Sequence, residues 1–307
     1  MQRIEAGVGN IVLQRYGSEA VFSQLSFKYP LKLLSPKIAQ ENVAVVYVLT
    51  YGGGLVGGDR VRLNVSVEGG SVLVMLSQGT TKVFKSRPGQ RLSRSTPSEV
   101  NGDITSQHLD VSVSPGSTLC LLPDPVTCFR SAKYNQLQRF RLEGDASAIL
   151  LDWITSGRKS IGEDWVFERF SSLNEVWVDG KRVARDAMLL EDEDEKPEPD
   201  TTTSAKRKKR RLADKLNPYS CYATVLLYGP VTTTIVKDLS EEYESIRVFK
   251  QSARPSLIWS FSKICGGKGG ILRVAGTESE DVRKWLGRGL RSLEAVVGRD
   301  TYRRAFG

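Results

Sequence analysis

Thr50–Asp59 reads TYGGGLVGGD, and its five glycines (Gly52, Gly53, Gly54, Gly57 and Gly58) allow sharp turns and close backbone approach. One chemistry open to such a loop is the cradling of a phosphate. That use needs a strand before it, a helix opening after it and, for a triphosphate, a Gly-Lys-Ser/Thr end. The loop instead runs into the alternating segment RVRLNVSVE, so it reads as a tight connection between two strands that sets Asp59 at a defined spot. Nucleophilic catalysis is served no better. There is no GxSxG elbow and no HExxH, and His108 is the single histidine, leaving a triad one candidate base. One imidazole does not make a metal site, so His108 reads as a structural or surface residue. Cys120, Cys128, Cys221 and Cys265 have no metal-ligand or redox spacing, and read as buried or partly buried free thiols in a reducing compartment.

The elements that must position these residues are mostly strands. In Arg60–Glu68, Val61, Leu63, Val65 and Val67 fall on one face and polar residues on the other. Gly69-Gly70 then turns the chain into Ser71–Leu76, whose continuous apolar run suits a strand buried on both sides. Gln107–Val113 alternates up to Pro115-Gly116, and Gln138–Leu142 leads through Gly144-Asp145 to Ala146–Ile154. Glu175–Val178 and Lys181–Arg185 flank Asp179-Gly180, a dipeptide suited to a tight hairpin turn. Cys221–Tyr228 and Val231–Val236, separated by Gly229-Pro230, read as a further strand pair. From Ser279 onward, Val282, Trp285, Leu286, Leu290, Leu293, Val296 and Val297 recur at helical spacing and predict a helix that packs on the protein's own sheets. Many short strands with a few helices, one near the C-terminus, make a mainly-β protein.

The formal charge is +9, and Lys206–Arg211 (KRKKRR) resembles a nuclear-import or nucleic-acid patch. The acidic stretch Glu191–Asp200 cancels it, so net basicity resides elsewhere in the chain. The stretch 191–216 is nearly devoid of apolar residues and reads as a disordered charged insertion within one domain spanning 1–307. No apolar run is long enough to span a membrane, and no secretory signal opens the chain, so the cytoplasm is expected, with the basic run leaving nuclear import open.

Five strings in order carry a resemblance: YPLKLLSP (Tyr29–Pro36), TYGGGLVGGD, LSQGTTKVFK (Leu76–Lys85), LLPDPVTCF (Leu121–Phe129) and DWITSGRKSIGEDWVF (Asp152–Phe167), with a similar tail over Leu272–Arg291. Together they resemble the UreD/UreH urease accessory proteins, and the charged insertion suggests a eukaryotic-type member. The resemblance implies helically wound, β-helix-like sheets and a scaffold without catalysis of its own. It implies a chain that acts with a UreF-like bridging protein and a UreG-like GTPase on apo-urease, to insert nickel. No cofactor is then bound permanently, and nickel(II) is held only in transit. Carboxylates suit transit because they release the ion more readily than paired imidazoles. Within the shared strings, Asp59, Glu163 and Asp124 are the implied transit ligands, each also a natural turn or capping carboxylate. Lys82 and Arg158 read as loop organisers or contacts for acidic partners, because like charge repels a cation. A basic nucleic-acid-binding protein is the competing reading, and it would show strongly salt-dependent duplex affinity.

Overall fold

The computed structural model describes residues 5–85, 104–192, 211–247 and 255–307. The chain opens with β1 (Val8–Tyr16), β2 (Glu19–Phe27), β3 (Leu31–Leu34), β4 (Val43–Thr50) and β5 (Gly54–Leu55). It continues with β6 (Arg60–Val67), β7 (Val72–Leu76), β8 (Thr81–Val83), β9 (Thr105–Val113), β10 (Thr118–Leu121) and β11 (Val126–Cys128). Next come β12 (Lys133–Leu142), β13 (Ser147–Thr155), β14 (Arg169–Val178), β15 (Lys181–Glu191), helix α1 (Leu212–Leu216), β16 (Cys221–Tyr228) and α2 (Thr233–Arg247). The chain closes with β17 (Leu257–Ile264), β18 (Gly269–Gly276), α3 (Ser279–Gly289), α4 (Glu294–Val297) and α5 (Arg299–Phe306). The mainly-β expectation holds.

The strands form two sheets. One runs β15-β14-β12-β9-β6-β1-β2, and the other β17-β18-β16-β13-β10-β7-β4-β3 with β5, β8 and β11 attached at one end. From β4 to β14 the main strands alternate between sheets, and within each sheet β6, β9, β12 and β14, or β4, β7, β10 and β13, pair in parallel. Burial follows from this layering. Val61, Leu63, Val65 and Val67 are buried while their neighbours on β6 face outward, the alternation of a sheet packed on one face. The central strands of the second sheet are buried on both faces, one against the first sheet and the other against the helices. Val282, Leu286, Leu290, Leu293 and Val297 fill that second core, so the C-terminal apolar stripe does pack on the protein's own sheet.

Parallel pairing has a further consequence. The turns Gly69-Gly70, Pro115-Gly116 and Gly144-Asp145 all lie at one end of the sandwich. The longer connections after β4, β7, β10 and β13 all emerge at the other.

Three expectations need correction. Val231–Val236 is not a strand: Pro230–Thr232 forms a 3-10 turn that runs into α2. Gly229 at φ 96° precedes Pro230 at the first helical position, and Ile235, Val236 and Leu239 then bury a helical face in the second core. The predicted disordered stretch 191–216 is too wide at both ends. Glu191 closes β15, and Leu212–Leu216 is helical with Leu212 buried and its N–H donated to Asp192 Oδ1 at 2.6 Å. Leu212, Ala213 and Leu216 pack on the core between the sheets and the Leu212–Asp192 bond ties the two flanks together; residues 193–210, including the basic run up to Arg210, lie outside the described residues. Finally, Cys120, Cys128 and Cys221 are buried as expected, whereas Cys265 is exposed on the turn after β17. Burial pushes the Cys120 and Cys221 thiols up to about 12, which keeps them protonated and inert. The Asp179-Gly180 hairpin forms as read, with both residues at positive φ between β14 and β15.

Candidate functional site

The strings that stood out in the sequence converge at the loop-bearing end. TYGGGLVGGD follows β4, LSQGTTKVFK follows β7, LLPDPVTCF follows β10, and SGRKSIGED follows β13. Tyr29 starts β3 at the same end, its ring 5.7 Å from that of Tyr51. Gly54–Leu55 pairs with Lys82-Val83, which in turn pairs with Thr127-Cys128, so these connections are laced into a small parallel ribbon.

Glycine is required in this lacing at Gly54. A Cβ there would lie 2.6 Å from both the Lys82 carbonyl oxygen and the Phe84 ring. Its φ of 171° is ordinary extended backbone, so the requirement is close approach and not turn geometry. Gly54→Ala is expected to cost about 1–3 kcal/mol, because the backbone oxygen cannot move aside as a side chain would. Chemical denaturation of that variant checks it; a midpoint unchanged from the parent would mean the ribbon is looser than the packing indicates. Gly52 and Gly53 adopt φ of 78° and 74°, the role that a glycine-rich connection predicts.

The three sequence-predicted carboxylates occupy different settings. Asp59 closes a turn, its Oδ2 accepting the Val56 N–H at 2.8 Å. Glu163, 5% exposed, accepts from Arg158 Nε at 2.8 Å and Nη2 at 2.7 Å, with Arg130 3.8 Å away. The Arg158 guanidinium, through its hydrogen bonds, holds the Glu163 carboxyl below its ordinary value despite burial. Asp124 accepts from the Gly79 N–H at 2.9 Å and pairs with Arg283 of α3, whose guanidinium also lies 5.2 Å over the Trp153 ring. Among the described residues no three His, Cys, Asp or Glu side chains group closely enough to hold a metal ion. His108 lies on the outward-facing side of β9, its pKa lowered by burial and then by Arg62.

Asp124 alone of the three lines an interior cavity of about 60 Å³ between the sheets, together with Asp152, Gln107, Gln136, Gln138, Ser77 and Thr81. Sequence reasoning missed this polar lining. Asp152 Oδ1 accepts from Gln136 Nε2 at 2.9 Å, and its Oδ2 accepts from Ser172 Oγ at 2.6 Å and Asn174 Nδ2 at 2.7 Å. The buried Tyr134 hydroxyl has an amide oxygen of Gln107 or Gln136 to receive its proton, each 3.0 Å away. Asn174 Oδ1, also buried, has no hydrogen-bond partner. The signal lay in the phase of the alternation. On β12 the inward positions are Tyr134, Gln136, Gln138, Phe140 and Leu142; on β14 they are Phe170, Ser172, Asn174, Val176 and Val178. The inter-sheet space thus carries a polar belt, with the Tyr134–Phe170 ring pair on its long-loop side and an apolar core toward the short turns. A wider mouth of about 310 Å³, walled by Tyr51, Gly52, Gly53 and Gln78–Thr80, shares Ser77, Thr81 and Gln107 with that cavity.

Fold and site together define a β scaffold whose parallel strands gather long loops around a polar opening onto an inter-sheet cavity lined by two carboxylates. A model of the UreD urease accessory protein family matches residues 5–306. The chain belongs to that family, and with it to urease maturation. It is 41% identical over 298 residues to urease accessory protein 4 of Cryptococcus neoformans var. grubii, covering 92% of this chain and 89% of that one. Urease accessory protein D of Arabidopsis thaliana is 32% identical over 317 residues, covering 96% and 99%. Urease accessory protein UreD of Sorangium cellulosum is 31% identical over 302 residues, covering 98% and 85%. No helix among the described residues is long and apolar enough to cross a membrane.

Proposed function

We propose that this chain is a non-enzymatic scaffold for nickel insertion into apo-urease, acting with a UreF-like bridging protein and a UreG-like GTPase. The polar belt within the inter-sheet space carries the reading. Buried polar groups cost stability unless they are paired, so a row of amides and a carboxylate at core positions calls for a use that apolar residues could not serve. Passage of a hydrated cation is such a use. Carboxylate and amide oxygens bind nickel more weakly than imidazole or thiolate, which lets the ion leave. Asp124 and Asp152 are the carboxylates that line the cavity. Asp59 and Glu163 remain proposed transit ligands on the surrounding loops, each also holding its own loop in place. No resident cofactor enters the proposal, and its setting is the cytoplasm.

Deleting the gene and measuring urease tests the function. Urease protein at normal abundance but low in nickel and activity is the expected result. Fully active, nickel-loaded urease in the deletion strain would overturn it.

A further inference from the structure

A second cleft opens at the same end, about 570 Å³ in volume, and shares no lining residue with the interior cavity. Alternation along β8 separates the two: Thr81 faces inward, and Lys82, with Phe84 beyond the strand, lines the cleft. Arg158, Lys159, the carboxylate of Glu278 and hydroxyls such as Thr127, Ser156 and Ser220 complete its polar wall, three cations against one anion.

The charges do not cancel. Arg158 is bound to Glu163, and Lys159 is bound to Glu278 at 3.1 Å, to the Thr277 carbonyl at 3.1 Å and to Ser220 Oγ at 3.3 Å. Lys82 has no anionic partner among the described residues, and Arg130 adds a fourth cation beside Glu163. Glu280 and Asp281 occupy the first turn of α3, so the helix terminus itself is not what attracts an anion. A separate observation points to a ligand. Ser156 is 1% exposed, lines the cleft, and its Oγ has no hydrogen-bond partner. A buried hydroxyl left unpaired is destabilising, and an acceptor entering the cleft would relieve that. Phe84 and Phe129 supply an apolar wall, their rings 5.2 Å apart and edge-on.

We propose that this cleft binds a small organic oxyanion, a phosphate or carboxylate carrying an apolar portion, with Lys82 and Ser156 Oγ on the oxyanion and Phe84 and Phe129 against the apolar part. The site is separable from the nickel route, because the cleft shares no lining residue with the interior cavity and only Thr80 with its mouth, and the test uses the isolated chain.

Calorimetric titration of the full chain at constant ionic strength, with phenyl phosphate, benzoate and inorganic phosphate as probes, tests it. Saturable binding of phenyl phosphate or benzoate is expected, with inorganic phosphate weaker; whichever of the first two binds more tightly identifies the oxyanion. Lys82→Met, at an exposed position, is expected to leave thermal unfolding unchanged and weaken binding about tenfold through loss of a charge-assisted bond. Ser156→Ala is expected to keep the free protein as stable as the parent, or more so, and to weaken binding. Phe84→Ala is expected to weaken phenyl phosphate and leave inorganic phosphate unaffected. No saturable binding by any probe, or equal affinity in folded Lys82→Met, would overturn the proposal.

Discussion

Cells carrying Asp152→Asn together with Asp124→Asn are expected to contain urease at normal abundance with its nickel content and activity lowered on the order of tenfold. The two side chains are the carboxylates that line the inter-sheet cavity, and an amide keeps their size while removing the charge that favours a divalent cation. The substitutions differ in what else they disturb. Asp124 also anchors the Pro123–Pro125 loop to Arg283, so its loss loosens α3 from the loop end. Asp152 accepts from three donors, and asparagine in its place retains acceptor capacity at one atom only. Asp152→Asn alone is therefore the sharper probe, with co-purification of the partners and thermal unfolding measured beside urease nickel. A folded, complex-forming variant that loads urease as the parent does would sink the transit role of the cavity. The same comparison with Asp59→Ala asks whether the turn carboxylate contributes beyond shaping its loop.

Arg158→Met is expected to destabilise the fold at neutral pH, because Glu163 is left enclosed without its main hydrogen-bond donor. Glu163 is the enclosed partner, and its two bonds to Arg158 are the strongest local compensation for its burial. Glu163→Gln should cost less, since Arg158 reaches solvent and can be rehydrated. The pH dependence separates the electrostatic cause from simple loss of packing over the Phe129 ring. In the parent, Arg158 holds the Glu163 pKa below its unfolded value, so over that range the unfolded chain binds more protons and stability rises with pH. This contribution is present above the unfolded glutamate range and is lost as pH falls through the lowered folded value. In the variant that hold is gone while Arg130 stays beside Glu163, so less stability is lost on acidification and the gap between the proteins narrows as pH falls through the glutamate range. Urea unfolding from about pH 7 down to about pH 3, through and below the ordinary glutamate pKa of about 4.3, reads this directly. A gap constant across the range would place the loss in packing alone.

Much of the secondary structure was legible locally. Arg60–Val67 buries its odd-numbered apolar residues because a one-sided sheet imposes a period of two. Asp179-Gly180 turned as read because positive φ at both residues is a property of the dipeptide itself. The stripe from Val282 to Val297 packs on the sheet as its helical spacing predicts, but as α3, a 3-10 turn and α4 instead of one helix, because the chain breaks at Leu290. Val231–Val236 misled for the same local reason. Six residues are too few to separate a buried strand from a helix entry, and Tyr243, which extends the helical face, lies beyond them.

The site was legible only as an ordered set of strings. Their family likeness could be seen in the chain, and so could the residue types able to release a cation. Their convergence could not, because it depends on four parallel strands stacking in one sheet, a non-local pairing that leaves no trace within any single segment. The same stacking decides which carboxylate faces inward. Asp59, Asp124 and Glu163 look alike beside their glycines and prolines, yet the tertiary packing turns one toward the cavity, closes a turn with another and buries the third against an arginine. Asp152, in the middle of an apolar strand, acquires its meaning only when the inward positions of β12 and β14 arrive opposite it. A side chain's own sequence determines its chemistry and its periodic phase; the partners that set its charge, its exposure and its access to a ligand come from strands distant along the chain.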